Sequence, residues 1–446
     1  MNTYSTHVLN QIKQKYPEQS QFLQAVKNLF DSINPVLQAH PELQEAAILE
    51  RIVEAERIII FRVPWLDDQG KIHVNTGYRV QFSSVNGPYK GGLRFHPTVN
   101  LDIMKALAFE QTFKNALTGL ALGGAKGGAD FDPRGKSDYE VMRFCQSFVT
   151  ELQKYIGADT DVPAGDIGVG AREIGYMYGQ YQRLNPAAKP GVFTGKPVQV
   201  GGSFIRTEAT GYGVVYFLGH ILKADGEELA GKKVAISGAG NVAYHAAKKV
   251  DELGGIIVSL SDEKGAIYRP DGLNMAIIHQ LKDDLKENTQ LYCQHDLEAQ
   301  YFFESIWSQK IKADIALPCA TQNEISQTQA EQMIANGIRY VIEGANLPCD
   351  THAKKIFKEN NVVFAPGKAA NAGGVAVSAF EMSQNAMRLS WTSEKVDCEL
   401  QNTMKYIFDQ CDEVNHEYDL GQDFGTAADI ASFVKIAELV KMYGVV

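Results

Sequence analysis

Four lysines stand in glycine-rich or apolar surroundings within residues 86–137: Lys90 in PYKGGLRFHP, Lys114 in FEQTFKNAL, Lys126 in GGAKGGADFDP and Lys136 in PRGKS. That window carries seven Lys/Arg against four acids, although the chain as a whole has a formal net charge of −10. Such a local reversal points to a small anionic ligand held at close quarters. Lysines of a solvated basic face sit among polar neighbours, whereas Lys126 is flanked by Gly123-Gly124 and Gly127-Gly128, and glycine lets a ligand approach the backbone closely. Crowding by like charge and partial desolvation both lower a lysine pKa, which would make Lys126 usable as a base. Lys90 and Lys114 are compact charges with three donors each, suited to carboxylates. Asp166, which follows Gly165 in DVPAGDIG, reads either as a proton donor or as the residue of an Asx-turn.

A second constellation points to a dinucleotide. Gly238-Ala239-Gly240-Asn241-Val242-Ala243 follows the apolar segment 232–237 and opens a helical pattern. In that setting Gly238 permits the tight turn, Gly240 lets pyrophosphate approach, Ala243 permits close helix–sheet packing, and the helix N-terminus faces the phosphates. The next strand ends in Ser261-Asp262-Glu263-Lys264. An acid there favours the ribose 2′-hydroxyl of NAD, whereas hydroxyl and basic groups favour the 2′-phosphate of NADP, and these residues leave both readings open.

The elements that must carry these groups follow from pattern. At 446 residues, 45% hydrophobic and 22% charged, the chain suits two globular domains. Residues 1–55 read as helices, 58–84 as a hairpin around Asp67-Asp68-Gln69-Gly70, 100–120 and 138–155 as helices, and 157–170 as loop. The Pro/Gly-rich stretch Pro186 to Gly202 reads as the linker between domains. Beyond it KKVAIS, GIIVSLSD, ADIALP, RYVIEGA and NVVFAP alternate with helical segments, which predicts a parallel sheet with helices on both faces. Helices resume after residue 378. The expected division is 1–200 for substrate and assembly, 201–375 for the dinucleotide, and 376–446 returning to the first domain.

Composition also excludes. An acidic chain is no general nucleic-acid or anionic-membrane surface. No apolar run approaches the ~20 residues of a membrane span, and the N-terminus lacks the apolar core of a signal peptide. Six cysteines without CxxC spacing fit a reducing cytoplasm, and ten histidines without HExxH or paired spacing give no expectation of a metal.

Taken together, PYKGGLRFHP, FEQTFKNAL, GGAKGGADFDP, GADTDVPAGDIGVG, RTEATGYG, ALPCATQNE, EGAN and FAPGKAANAGGVA resemble, in order, the signatures of the hexameric small-subunit glutamate dehydrogenases. The resemblance runs from about residue 44 to the C-terminus. It implies an α/β fold in which an N-terminal α/β substrate and assembly domain and a Rossmann-type domain enclose a cleft. It further implies reversible oxidative deamination of L-glutamate to 2-oxoglutarate and ammonium, a cytoplasmic homohexamer, and no bound metal. By the same resemblance Lys90 would hold the γ-carboxylate with Ser378 from the far side of the cleft. Gln111 and Lys114 would hold the α-carboxylate, and the Gly165 carbonyl the amino group. Lys126 would activate water and Asp166 would shuttle protons. Thr210, Asn241 and, as a weaker candidate, Asn346 would contact the nicotinamide half. Gly238, Gly240 and Val242 would form the phosphate turn, with Ser261 and Asp262 at the adenosine ribose. The serine–aspartate pair resembles NADP-using members, with Lys136 contributing, so NADP(H) is expected over NAD(H). Ala125 departs from the glycine of many relatives. Competing readings are a leucine, valine or phenylalanine dehydrogenase of the same superfamily, a lysine Schiff-base enzyme built on Lys126, and a non-catalytic nucleotide-binding protein; Lys90 and Ser378 argue for a substrate with a second carboxylate.

Overall fold

The computed structural model describes residues 2–186, 190–286 and 288–445. The chain forms two compact units. The first takes in the chain up to Phe204, Val377–Val396 and the residues from Asp429 on; the second comprises Ile205–Ala376 and Asp397–Ala428.

The first unit is built on β1 (Arg57–Leu66), β2 (Ile72–Ser83), β3 (Tyr89–Phe95), β4 (Gly124–Ala129) and β5 (Asp161–Gly165), in the sheet order β1-β2-β4-β3-β5. β1 and β2 are the expected hairpin. Its turn is set by Gly70 at φ +80 and by Asp67, whose Oδ1 accepts the Gln69 and Lys71 amides at 2.9 Å. β4 is antiparallel to β2, and β3 lies parallel to both β4 and β5. The helix Leu101–Leu117 starts at Asn100, whose side chain accepts the Ile103 amide, and Asp138–Leu152 starts in a Ser137/Glu140 capping box. Phe95, Phe131, Phe144 and Phe148 form the core beneath, Phe131 and Phe144 stacked at 3.8 Å. Burying each such ring contributes about 1.5–3 kcal/mol.

Two expectations fail in this unit. The segment 157–170 is not all loop, because DVPAG forms β5. β5 lies at the sheet edge, where Pro163 opposite Gly91 needs no second ladder partner for its missing N–H. Nor is Pro186 to Gly202 a linker; residues 187–189 lie outside the described residues, and the rest makes two short 3-10 turns anchored inside the first unit. Thr194 donates to the Pro163 carbonyl, and Lys196 is fully buried against Glu381.

The second unit carries β6 (Lys233–Ser237), β7 (Ile256–Ser261), β8 (Ala266–Tyr268), β9 (Gln300–Phe302), β10 (Ile315–Pro318), β11 (Tyr340–Ile342) and β12 (Val363–Ala365). Their order is β12-β11-β10-β6-β7-β8-β9. The five predicted strands are parallel, while β8 and β9 extend one edge antiparallel. These three-residue strands are too short to show an alternating pattern. Strand order reverses at β6 and β10, the switch point at which open α/β sheets bind ligands.

The C-terminal region does not return as one piece to the first unit. Asp397–Ala428 belongs to the second unit, where Phe408 and Phe424 pack on Phe217 at centroid distances of 6.0 and 5.9 Å. The Tyr216 hydroxyl also donates to Asp397 at 2.7 Å. Among the described residues no helix is long and apolar enough to cross a membrane.

Candidate active site and nucleotide-binding turn

Strand geometry assembles the first site. Side chains two apart share a face of a strand, so Lys90, Gly92 and Arg94 of β3 point the same way. Register sets Gly92 opposite Ala164 of β5 and Leu93 opposite Gly127 of β4, which brings Lys126 and Asp166 alongside. A Cβ at Gly92 would lie 2.8 Å from the Gly165 carbonyl oxygen, 2.9 Å from the Asp166 Cβ and 3.4 Å from Lys126 Nζ. Gly92 is therefore the floor over which the cation and the carboxylate meet. Lys126 Nζ lies 3.3 Å from Asp166 Oδ1, and Arg94 Nε donates to Asp166 Oδ2 at 2.8 Å.

These groups shift one another. Burial is the largest influence on Lys126 and pulls its pKa down; Asp166 opposes this and Arg94 adds to it, for a net depression. Burial raises the Asp166 carboxyl, but the charges of Lys126 and Arg94 prevail and leave it below the usual carboxylate range. In this state Asp166 is a carboxylate. Lys114 is drawn down to about 8 by burial and then by the charge of Lys126, against the opposing pull of Asp166 and Glu110. One field thus links Lys114, Lys126 and Asp166.

The helix Leu101–Leu117 brings in Gln111 and Lys114, three residues apart and so on one face. Its approach to β4 depends on Gly124, where a Cβ would fall 1.9 Å from Thr112 Oγ1. The β4 glycines therefore serve crowding of backbone and helix as well as ligand approach. Asn115, fully buried, accepts from Gln111 Nε2 at 2.6 Å and donates to the Lys90 carbonyl at 3.1 Å and to the Gly123 carbonyl. Lys90 and Ser378 are each 3% exposed. Ser378 lies in the helix Gly373–Met387 and belongs to the first unit, as Lys90 does, so the expectation that it comes from the other domain is corrected. The boundary at Ala376 falls within that helix, where no break in pattern marks it.

Sequence reading passed over Arg94 and Asn115. Arg94 had a usable signal, being two strand steps beyond Lys90. Asn115 had none, since its role depends on carbonyls contributed by two other elements.

The second site lies where β6 turns into the helix Asn241–Glu252. Gly238 sits at φ +89 and donates its amide to the Ser261 hydroxyl at 2.8 Å. A Cβ there would lie 3.2 Å from the Cys319 carbonyl oxygen, at the end of β10. Gly240 caps the helix without a side-chain bond, and among the described residues nothing lies within 4 Å of its Cβ position. Nothing therefore crowds the turn at Gly240, and a helix N-terminus without a side-chain cap is a setting that suits a pyrophosphate. Ala243 is fully buried and Val242 half-buried. At Gly211 a Cβ would sit 2.7 Å from the Val242 carbonyl oxygen, so the helix Ala209–Ala224 packs on the turn backbone to backbone. Thr210 opens that helix, and Asn241 Nδ2 donates to the Thr207 carbonyl at 2.6 Å, holding the two candidate nicotinamide contacts near each other.

At the end of β7 the carboxylate of Asp262 is already engaged. Its Oδ1 accepts the Lys264 and Gly265 amides at 2.6 and 3.0 Å, and its Oδ2 accepts the Thr289 amide at 2.5 Å. Asn346 accepts from Asn371 Nδ2 at 3.0 Å. Lys136 is exposed and lies in the first unit, whereas Ser261 and Asp262 lie in the second.

Known proteins resemble the chain over nearly its whole length. Residues 55–183 match the model for the Glu/Leu/Phe/Val dehydrogenase dimerisation domain, and 201–444 match that for glutamate/leucine/phenylalanine/valine dehydrogenase. The chain is 51% identical to the NAD-specific glutamate dehydrogenase of Clostridium symbiosum, covering 100% of each. It is 51% identical to the NADP-specific glutamate dehydrogenase of Chlorella sorokiniana, over 98% of this chain and 84% of that protein. The solved glutamate dehydrogenase of Plasmodium falciparum is similar with a TM-score of 0.95 at 45% identity, covering 99% of this chain and 95% of that one. With both domains matched and half of its residues identical to a relative over its full length, the chain belongs to the glutamate/leucine/phenylalanine/valine dehydrogenase family.

Proposed function

We propose that the protein is a glutamate dehydrogenase, interconverting L-glutamate with 2-oxoglutarate and ammonium and working in the cytoplasm mainly toward glutamate. The observation that carries the choice of substrate is the buried cation of Lys90, 3% exposed on the same strand face as Gly92. A γ-carboxylate brings that buried ammonium a charge of opposite sign, which an apolar amino-acid side chain cannot supply. The α-carboxylate goes to Lys114 and Gln111, and the amino group to the Gly165 carbonyl. A bound nicotinamide supplies the hydride acceptor or donor. Lys126, its pKa depressed, takes the proton of the water that attacks the substrate imine, and Asp166 carries protons to and from the departing nitrogen. All six cysteines are free thiols, in keeping with a reducing compartment.

For the cofactor we favour NADP(H), with NAD(H) as the alternative. Three backbone amides take up three of the about four lone-pair sites of Asp262, which leaves it a weakened partner for a ribose hydroxyl. Ser261 accepts from Gly238 but keeps its own proton to donate to a phosphate. Initial rates of 2-oxoglutarate reduction with ammonium should show a higher kcat/KM with NADPH than with NADH. Ser261→Ala should narrow that preference, a charged hydrogen bond being worth about 1.5–3 kcal/mol. Equal kcat/KM for both cofactors in the unmodified protein would return the ribose to Asp262.

We also propose a homohexamer. β1 is an edge strand, and the outer face of the hairpin exposes Ile58, Ile60, Leu66, Ile72 and Val74, Ile60 at 54% and Ile72 at 70%. An exposed apolar edge of this kind calls for a partner strand. Light scattering should give a native mass of six chains, and Ile60→Asp should lower it; a monomeric unmodified protein would contradict the assembly.

A further inference from the structure

From Thr194 to Ser203, the end of the stretch that reads as a linker is bonded to two parts of the first unit. Thr194 N–H donates to the carbonyl of Pro163 at 3.0 Å, and Pro163 belongs to β5, the strand that ends in Gly165 and leads into Asp166. The next residue, Gly195, donates its amide to Glu381 Oε2 at 2.9 Å. Lys196 then donates from Nζ to Glu381 Oε1 at 2.7 Å and to the Phe193 carbonyl. Both side chains of this pair are 0% exposed. Two further bonds continue the seam: Asn385 Nδ2 to the Gly201 carbonyl at 2.7 Å, and Gln384 Nε2 to the Ser203 hydroxyl at 2.9 Å.

Glu381 stands three residues after Ser378 in the helix Gly373–Met387, hence on the same helical face. Ser378 lies just past the point, Ala376/Val377, where this helix passes from one unit to the other. On the C-terminal side of that point, Glu381 ties the helix to Gly195 and Lys196, and through the neighbouring Thr194 to β5. A fully buried ion pair is a poor source of net stability, since well-packed apolar residues of like volume often serve as well or better. Its directional bonds do supply something apolar residues cannot, a fixed distance between the helix and β5.

We propose that the Lys196–Glu381 pair is a positioning device that fixes Ser378 relative to β5, and through Ser378 sets the preference for a substrate with a distal carboxylate. This rests on the assignment of Ser378 to the γ-carboxylate. The pair is closed to solvent and is not among the groups assigned to substrate, so its loss alters the reading of the distal group more than the chemistry at Cα.

The test compares L-glutamate with L-norvaline, which has the same carbon chain ending in a methyl group. In Lys196→Met/Glu381→Met no buried charge is left unpaired, but Gly195 loses its acceptor and the seam its fixed length. The glutamate-to-norvaline ratio of kcat/KM should fall about 10- to 100-fold, the scale of an ~1 Å misplacement, mostly through the KM for glutamate. Lys196→Met/Glu381→Gln, which keeps an acceptor for Gly195, should restore part of the ratio. Ser378→Ala, measured alongside, should narrow it on its own. If Ser378→Ala narrows the ratio while the Met/Met enzyme keeps that of the parent, the positioning role is wrong and the assignment of Ser378 stands. If Ser378→Ala changes nothing, the assignment fails and the positioning role with it. Equal losses on both amino acids in the Met/Met enzyme would show a merely structural pair and overturn the proposal. Should Met/Met not fold by near-ultraviolet circular dichroism, the Met/Gln enzyme is read by the same ratio: a narrowed ratio supports the role and a parental one overturns it.

Discussion

Lys126→Ala and Asp166→Asn are each expected to lower kcat by at least ~100-fold, the lower range for a positioned base or acid, while binding of reduced cofactor persists. The expectation follows from geometry first. The two groups lie 3.3 Å apart beside Gly92, where a Cβ would fall 2.9 Å from the Asp166 Cβ and 3.4 Å from Lys126 Nζ, so any side chain at that position would crowd them. It follows next from protonation. Burial and the nearby Arg94 disfavour the ammonium form of Lys126, so its amine is available at lower pH than an ordinary lysine. Arg94 also holds Asp166 as a carboxylate. Removing that cation in Arg94→Met therefore raises both pKa values, and the ascending limb of kcat against pH should move to higher pH. A limb that stays in place or moves down would separate Arg94 from the proton chemistry. Fluorescence titration showing intact NADPH binding together with kcat near that of the parent in Lys126→Ala would remove Lys126 from the mechanism altogether.

The second large effect concerns the distal carboxylate. Lys90→Leu/Ser378→Val should depress kcat/KM for glutamate by ~1,000-fold or more, about 4 kcal/mol, and raise relative activity on norleucine or methionine. A carboxylate brought against Lys90, a side chain almost closed to water, loses its cation in the variant, and an uncompensated buried charge costs several kcal/mol. Because both residues belong to the first unit, the change should alter substrate choice without altering the KM for the dinucleotide. If glutamate remains the better substrate with little loss, Lys90 does not read a second carboxylate.

What was legible in the chain was what is local. Lys90 and Lys126 stood out because glycine context and local charge are sequence properties. So did the turn at Gly238, whose positive φ, strand and helix are all contiguous. β5 escaped notice because Pro163 and Gly165 are poor strand formers, tolerated at an edge. The anchoring of Thr194 to Gly202 escaped for a different reason: composition reads Pro and Gly as a linker, but Lys196 is fixed by Glu381, 185 residues away. Asp262 could be assigned to a ribose or to a turn from its own neighbourhood, and it took the distant amide of Thr289 to show that its oxygens are spoken for. The same holds for Ser378, whose unit is decided by packing in the middle of a continuous helix.

Selection of a dicarboxylic substrate by a buried cation is tested most directly in the unmodified protein. Oxidation of reduced nicotinamide should be followed with ammonium and either 2-oxoglutarate or a branched-chain 2-oxo acid. Turnover should depend on ammonium, with a kcat/KM for 2-oxoglutarate at least ~100-fold higher, equivalent to about 2.7 kcal/mol of transition-state discrimination. A branched-chain acid reduced as well as or better than 2-oxoglutarate, or turnover that does not require ammonium, would contradict it.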